Sequence, residues 1–146
     1  MMFTGHHQSE QIVVGVDGSL ASRAAVRWAV DHARPGDTVI LVHAWETSPS
    51  MVDAGPVGPD ADADAARSCA HHELARAQAL PHDEAITISC EAVHGDARHC
   101  LRSHSCDLLV VGARGHGGLT GMLLGSVSAH LAHHCPVPLV IVPSPG

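Results

Sequence analysis

Apolar residues fall into five short runs, separated by longer stretches where they recur every three or four positions. The runs are Gln11–Asp17 (QIVVGVD), Asp37–Trp45 (DTVILVHAW), Ala85–Val93 (AITISCEAV), Asp107–Gly112 (DLLVVG) and Pro138–Pro143 (PLVIVP). Nearly all are continuous rather than alternating, which predicts strands covered on both faces, as in a parallel sheet under helices. Ser19 caps a helix expected over Leu20–Ala33, in which Ala24, Ala25, Trp28, Ala29 and His32 recur near helical spacing; Pro35-Gly36 stops it. An alanine-rich helix is expected over Asp60–Leu80, with Asp60, Asp62 and Asp64 where the helix dipole favours anions. A short helix runs from Gly95-Asp96 to about Ser105, and another covers Gly125–His134.

The order is β-α-β-α-β-α-β-α-β. Right-handed crossovers leave few solutions for it, so the expected fold is α/β: an open, doubly wound five-stranded parallel sheet with helices on both faces. No internal repeat or dividing linker interrupts it, and residues 1–146 are read as one domain. Residues 1–10 are expected to be a disordered tail. Residues 46–59, with their prolines and glycines, are expected to be a mobile loop.

Composition narrows the chemistry. Hydrophobic residues make up 45% of the chain, yet no apolar run reaches the length of about 20 residues that spans a membrane. The N-terminus, MMFTGHHQSEQ, lacks a charged-then-apolar signal, so a soluble cytoplasmic protein is expected. Net charge is −7 and all eight basic residues are arginine. An acidic chain with scattered arginines argues against nucleic-acid binding. The absence of lysine removes Walker A loops and pyridoxal chemistry outright. The odd number of cysteines, Cys69, Cys90, Cys100, Cys106 and Cys135, on apolar-looking segments predicts buried reduced thiols instead of a disulfide framework.

One stretch is unusual. VVGARGHGGLTGMLLGSVS, Val110 to Ser128, spends six of its nineteen residues on glycine. Fixing a glycine costs more entropy than fixing any other residue, so something must approach this backbone closely. In an open α/β sheet, ligands sit beyond the carboxyl ends of the strands, where the chain order reverses. If the first and fourth strands are neighbours, Asp17 and the glycine segment face one crevice. The helix beginning near Gly125-Ser126 then points its first amides and positive dipole end into it. Ser126 and Ser128 add hydroxyls and Arg114 a fixed positive charge, an arrangement suited to a polyphosphate. A dinucleotide fingerprint is excluded, because the first turn reads G-V-D-G-S.

The spacing Gly112-x2-Gly115-x9-Gly125-Ser126 resembles the ATP-binding motif of the universal stress protein family. Val14–Ser22 (VGVDGSLAS), LVHAW, His94–Ala97 (HGDA) and CPVPLVIVP extend the resemblance along nearly the whole chain. The resemblance implies a Rossmann-like fold of the adenine-nucleotide α-hydrolase-like kind and binding of ATP with Mg²⁺. It places Asp17 near the ribose or the phosphate-bound Mg²⁺, and the Ala44 backbone at the adenine edge. It places Gly112, Gly115, Gly125, Ser126 and Val127 around ribose and phosphates, largely through main-chain amides; Arg114 and Ser128 are lesser members of the set. It also implies a homodimer through the edge strand 138–143.

Efficient phosphoryl transfer needs strong cationic groups and a base at the acceptor. One arginine and one carboxylate imply a nucleotide-loaded regulator with little or no hydrolysis. Binding would order residues 113–124 and 46–59 for an unknown protein partner to read. The alternatives are a slow ATPase or nucleotidyl-transfer enzyme, and a nucleotide-independent dimeric scaffold. Fourteen histidines invite a metal reading, with His130, His134 and Cys135 on one helix and Cys100 and His104 on another, but chance pairs are expected at this abundance. His72-Glu73-Leu74-Ala75-Arg76 misses H-E-x-x-H at its second histidine, and the Asp60-Asp62-Asp64 run lacks the glycine and glutamate of a calcium loop. Histidine titration near pH 6.5 would instead make assembly pH-sensitive. Trp28 and Trp45 are read as core anchors. There is no G-x-S-x-G elbow.

Overall fold

A computed structural model describes residues 8–47, 59–114 and 124–144. The elements follow in the expected order: β1 (Gln11–Gly15), α1 (Leu20–His32), β2 (Thr38–Trp45), α2 (Pro59–Gln78), β3 (Thr87–His94), α3 (Ala97–Ser103), β4 (Leu108–Gly112), α4 (Ser126–His134) and β5 (Leu139–Val142). Every strand pair is parallel, in the order β3-β2-β1-β4-β5. Side chains alternate across the strands and so build two cores. Ile12, Val14, Val39, Leu41 and Val110 pack under α1 and α2, while Val13, Ile40, Val42, Leu109 and Val111 pack under α3 and α4.

Local chemistry sets the element ends. The Ser19 side chain accepts from the Ser22 amide at 3.1 Å and caps α1. Gly36, at φ +97°, turns the chain into β2. Asp37, 2% exposed, accepts hydrogen bonds from the amides of Glu10 (2.9 Å) and Arg34 (2.8 Å), tying β1 to the end of α1.

Three expectations are corrected. β1 ends at Gly15 instead of Asp17, because Val16 makes the last bond to β2 (to the Val42 carbonyl, 3.0 Å) and Asp17 turns to accept from the Ser19 amide at 2.9 Å. The buried face of α1 is Ala21, Ser22, Ala25, Val26, Ala29 and Val30; His32 lies outside it, stacked on Trp28 with ring centroids 4.0 Å apart. The thiols are unpaired but not buried. Cys69 is exposed and the other four are half-buried, Cys90, Cys106 and Cys135 at the margins of the cores. Residues 1–7 and 48–58 lie outside the described residues, as does most of 113–124; of the expected tail, Glu10 is tied to Asp37 and Thr38, and Pro59, the last residue of the expected loop, already belongs to α2.

Candidate functional site

The chain runs outward from β1 to β2 and β3, then returns to lay β4 on the other side of β1. The order therefore reverses between β1 and β4, where Val14 stands opposite Val110. This is the position where α/β sheets open a crevice at their carboxyl edge.

Gly112 closes β4 there. A Cβ on it would lie 2.6 Å from the carbonyl carbon of Ala21 and 2.7 Å from that residue's Cβ and oxygen. The close approach inferred from the glycines is, at this position, made by the first turn of α1. Next along, the Ala113 amide donates to the Val142 carbonyl (2.8 Å). Its own carbonyl accepts from the Gly125 amide (2.6 Å) and the Ser128 hydroxyl (2.8 Å). Ser128 is 1% exposed, so its hydroxyl, expected to meet phosphate, instead lashes α4 to the end of β4. The backbone clamp leaves that donor no route outward.

The start of α4 differs from that of α1 and α3, which Ser19 and Asp96 cap with side-chain oxygens. Gly125 occupies the N-cap of α4 and offers no side-chain bond. The first amide with an intrahelical acceptor is that of Ala129, bonded to the Gly125 carbonyl at 2.9 Å. The amides of Ser126, Val127 and Ser128 therefore have no acceptor within the helix. Arg114 is half-buried just past β4, and Gly115 lies outside the described residues.

Register explains the position of Ala44. The Val42 carbonyl bonds toward β1, accepting from Val16, and the Trp45 carbonyl bonds toward β3, accepting from Gly95 at 2.8 Å. Alternation turns the amide and carbonyl of Ala44 to the β1 side, beyond the end of that strand. Its neighbour His43 projects onto the α2 face and donates from Nδ1 to the Val16 carbonyl at 3.1 Å, which leaves Nε2 as the acceptor of the neutral ring.

Beside these residues lies a cleft of about 220 Å³ lined by Asp17, Gly18, His43, Ser68, Cys69, His72 and Glu73. Four of these come from α2, which sequence reasoning treated only as a dipole-stabilised helix and a failed zinc motif. Among the described residues no three metal-ligating side chains converge. His130 and His134 are a tilted ring pair 4.7 Å apart, and His104 bonds Glu91 at 2.8 Å. Trp45 packs on His94 with centroids 4.5 Å apart and is only half-buried.

The profile of the Universal stress protein family matches residues 9–143. A universal stress protein of Mycobacterium tuberculosis is 36% identical over 141 residues, covering 93% of this chain and 46% of its own length. One of Mycolicibacterium smegmatis is 32% identical over 140 residues, covering 94% and 47%. The chain thus spans about half the length of these curated relatives. Among solved structures, a universal stress protein in complex with cAMP superposes with a TM-score of 0.63 at 25% identity, covering 94% of this chain and 98% of the other. An AMP-bound family protein of Arabidopsis thaliana gives 0.60 at 16% identity, covering 93% and 92%. The chain belongs to the universal stress protein family.

Proposed function

We propose that this chain binds an adenine nucleotide, ATP carrying Mg²⁺, across the carboxyl edge of β1 and β4, and acts as a nucleotide-loaded regulator of stress or dormancy responses with little or no hydrolysis. The observation that carries this is the glycine N-cap of α4, which supplies no side-chain acceptor to the first amides of the helix, beside the topological switch point. Such amides, at the positive end of a helix dipole, take phosphate oxygens. The nucleotides named for two structural relatives, cAMP and AMP, support the same class of ligand.

Each residue then has a task. Ser126 and Val127 donate their amides to phosphate, with Gly115 and Gly125 shaping the approach and Arg114 adding charge. Gly112 and Ser128 hold this apparatus in place. The amide and carbonyl of Ala44 read the adenine edge. Asp17 serves the ribose or the Mg²⁺. One carboxylate fits Mg²⁺, which keeps most of its water and arrives on phosphates instead of filling an all-protein cage. The protein residues bind and orient; a guanidinium and a carboxylate at the mouth favour retention over turnover.

MgATP at 100 times its dissociation constant should stabilise the fold by about 2.7 kcal/mol, a rise of several degrees in melting temperature. Gly125→Leu should abolish that rise and leave the apo melting point nearly unchanged, since φ −76° and ψ 175° at Gly125 suit any residue. The wild-type chain showing neither a thermal shift with MgATP nor co-purified nucleotide would overturn the reading.

A further inference from the structure

We infer that Glu73 selects the ligand in the α2 cleft, its carboxylate accepting a hydrogen bond from an amino or hydroxyl group of the nucleoside; this rests on the nucleotide reading above. The helix presents a buried stripe of Ala66, Ala70, Glu73 and Ala77, exposed by 4%, 2%, 9% and 0%. The spacing i, i+4, i+7, i+11 is that of a core-facing helix, and at position 73 it asks for an apolar side chain. A glutamate stands there instead: the residue is nine-tenths buried, and its carboxylate, with no hydrogen-bond or ion-pair partner among the described residues, opens on the cleft. A carboxylate at the wall of a cleft is an acceptor open to a ligand's N–H or O–H, and a charge-assisted bond of that kind is a strong one.

The lining identifies the donor's chemistry. Asp17 and Glu73 are both acceptors, and His43 spends its Nδ1 proton on the Val16 carbonyl. Two carboxylates disfavour phosphate, and no three-ligand cation site forms among the described residues. A group rich in N–H or O–H is what remains. At about 220 Å³ the cleft is smaller than the roughly 300–1,000 Å³ of a site enclosing a whole small molecule, so it takes one end of the nucleotide. That is the nucleoside end, with the exocyclic amine of adenine and the ribose hydroxyls. The phosphates belong with the amides of α4. The site is polarised, acidic at one end and amide-lined at the other, and this fixes the ligand's direction.

Binding of AMP, inosine monophosphate and 2′-deoxyadenosine monophosphate to the wild type, Glu73→Met and Glu73→Gln is the test, alongside apo melting temperatures. Methionine keeps the volume and removes the acceptor. It should weaken AMP about tenfold or more. If Glu73 meets the base amine, the preference for AMP over the inosine nucleotide disappears in the variant; if it meets the ribose, the preference over the deoxynucleotide does. Glu73→Gln keeps one acceptor oxygen, should lose less, and serves if the methionine variant misfolds. Wild-type affinity and both preferences intact in the variants would overturn the inference and leave the nucleotide reading standing. A lowered apo melting temperature with unchanged binding would make Glu73 structural. Failure of the wild type to bind any of the three, or MgATP, would remove the nucleotide reading and this inference with it.

Discussion

At the scale of single residues, Gly112 is the sharpest case of a role legible in kind but not in partner. The sequence marks it as a place of close approach, and the approaching group is the Ala21 backbone. A backbone cannot move aside as a side-chain tip can. Gly112→Ala is therefore expected to destabilise the apo protein by about 1–3 kcal/mol, read as a lower midpoint in denaturant. An unchanged midpoint with lost nucleotide binding would return Gly112 to the ligand. Ser128 teaches the same lesson: a hydroxyl near a candidate phosphate site was visible, and its use as a tie to the Ala113 carbonyl was not. Glu73 was visible too, inside a motif that failed for zinc. The alanines at 66, 70 and 77 were the signal that would have marked it as buried.

Among the elements, α3 carries the clearest consequence of pH. Burial works against a charged His104. Both ring nitrogens nevertheless donate, Nε2 to Glu91 at 2.8 Å and Nδ1 to the Ser105 carbonyl at 2.9 Å, and these bonds hold the imidazole above its ordinary value. A raised folded value means the contribution is full below about pH 6.5, the unfolded value, and is lost as pH rises through the folded one. Wild type should therefore exceed His104→Gln in melting temperature by about 1–2 °C more at pH 5.5 than at pH 8.5. A constant difference would exclude the linkage between α3 and β3. At the start of α3, the Arg98 side chain, with the Arg98 and His99 amides, holds Asp96 down to about 2, so this cap persists through mildly acidic conditions. Element order was legible because continuous apolar runs and glycine-proline stops are local signals. The face α1 buries was less so, because Trp28 packs only at the margin of the core, where His32 stacks on it from outside the buried face.

For the whole molecule, β5 is an edge strand, bonded to β4 on one side. The carbonyls of Pro138 and Val142 accept from Leu109 and Ala113, so alternation turns the amides of Leu139 and Ile141 away from the sheet. An apolar edge of this kind invites a second strand, and we expect two copies to meet there. Light scattering should give a dimer at micromolar concentration. Ile141→Pro, which removes an outward amide without touching the β4 ladder, should give a folded monomer. A monomeric wild type would remove the expectation.

The sequence by itself determined the fold class, the order of the elements and the family. Each of these follows from local composition and periodicity or from the spacing of one motif. Tertiary structure alone decided which glycine meets a helix, which serine faces inward, and that a carboxylate of α2 lines a cleft beside Asp17. Those are contacts between residues dozens of positions apart, set by sheet order and helix rotation, to which no stretch of chain bears witness alone.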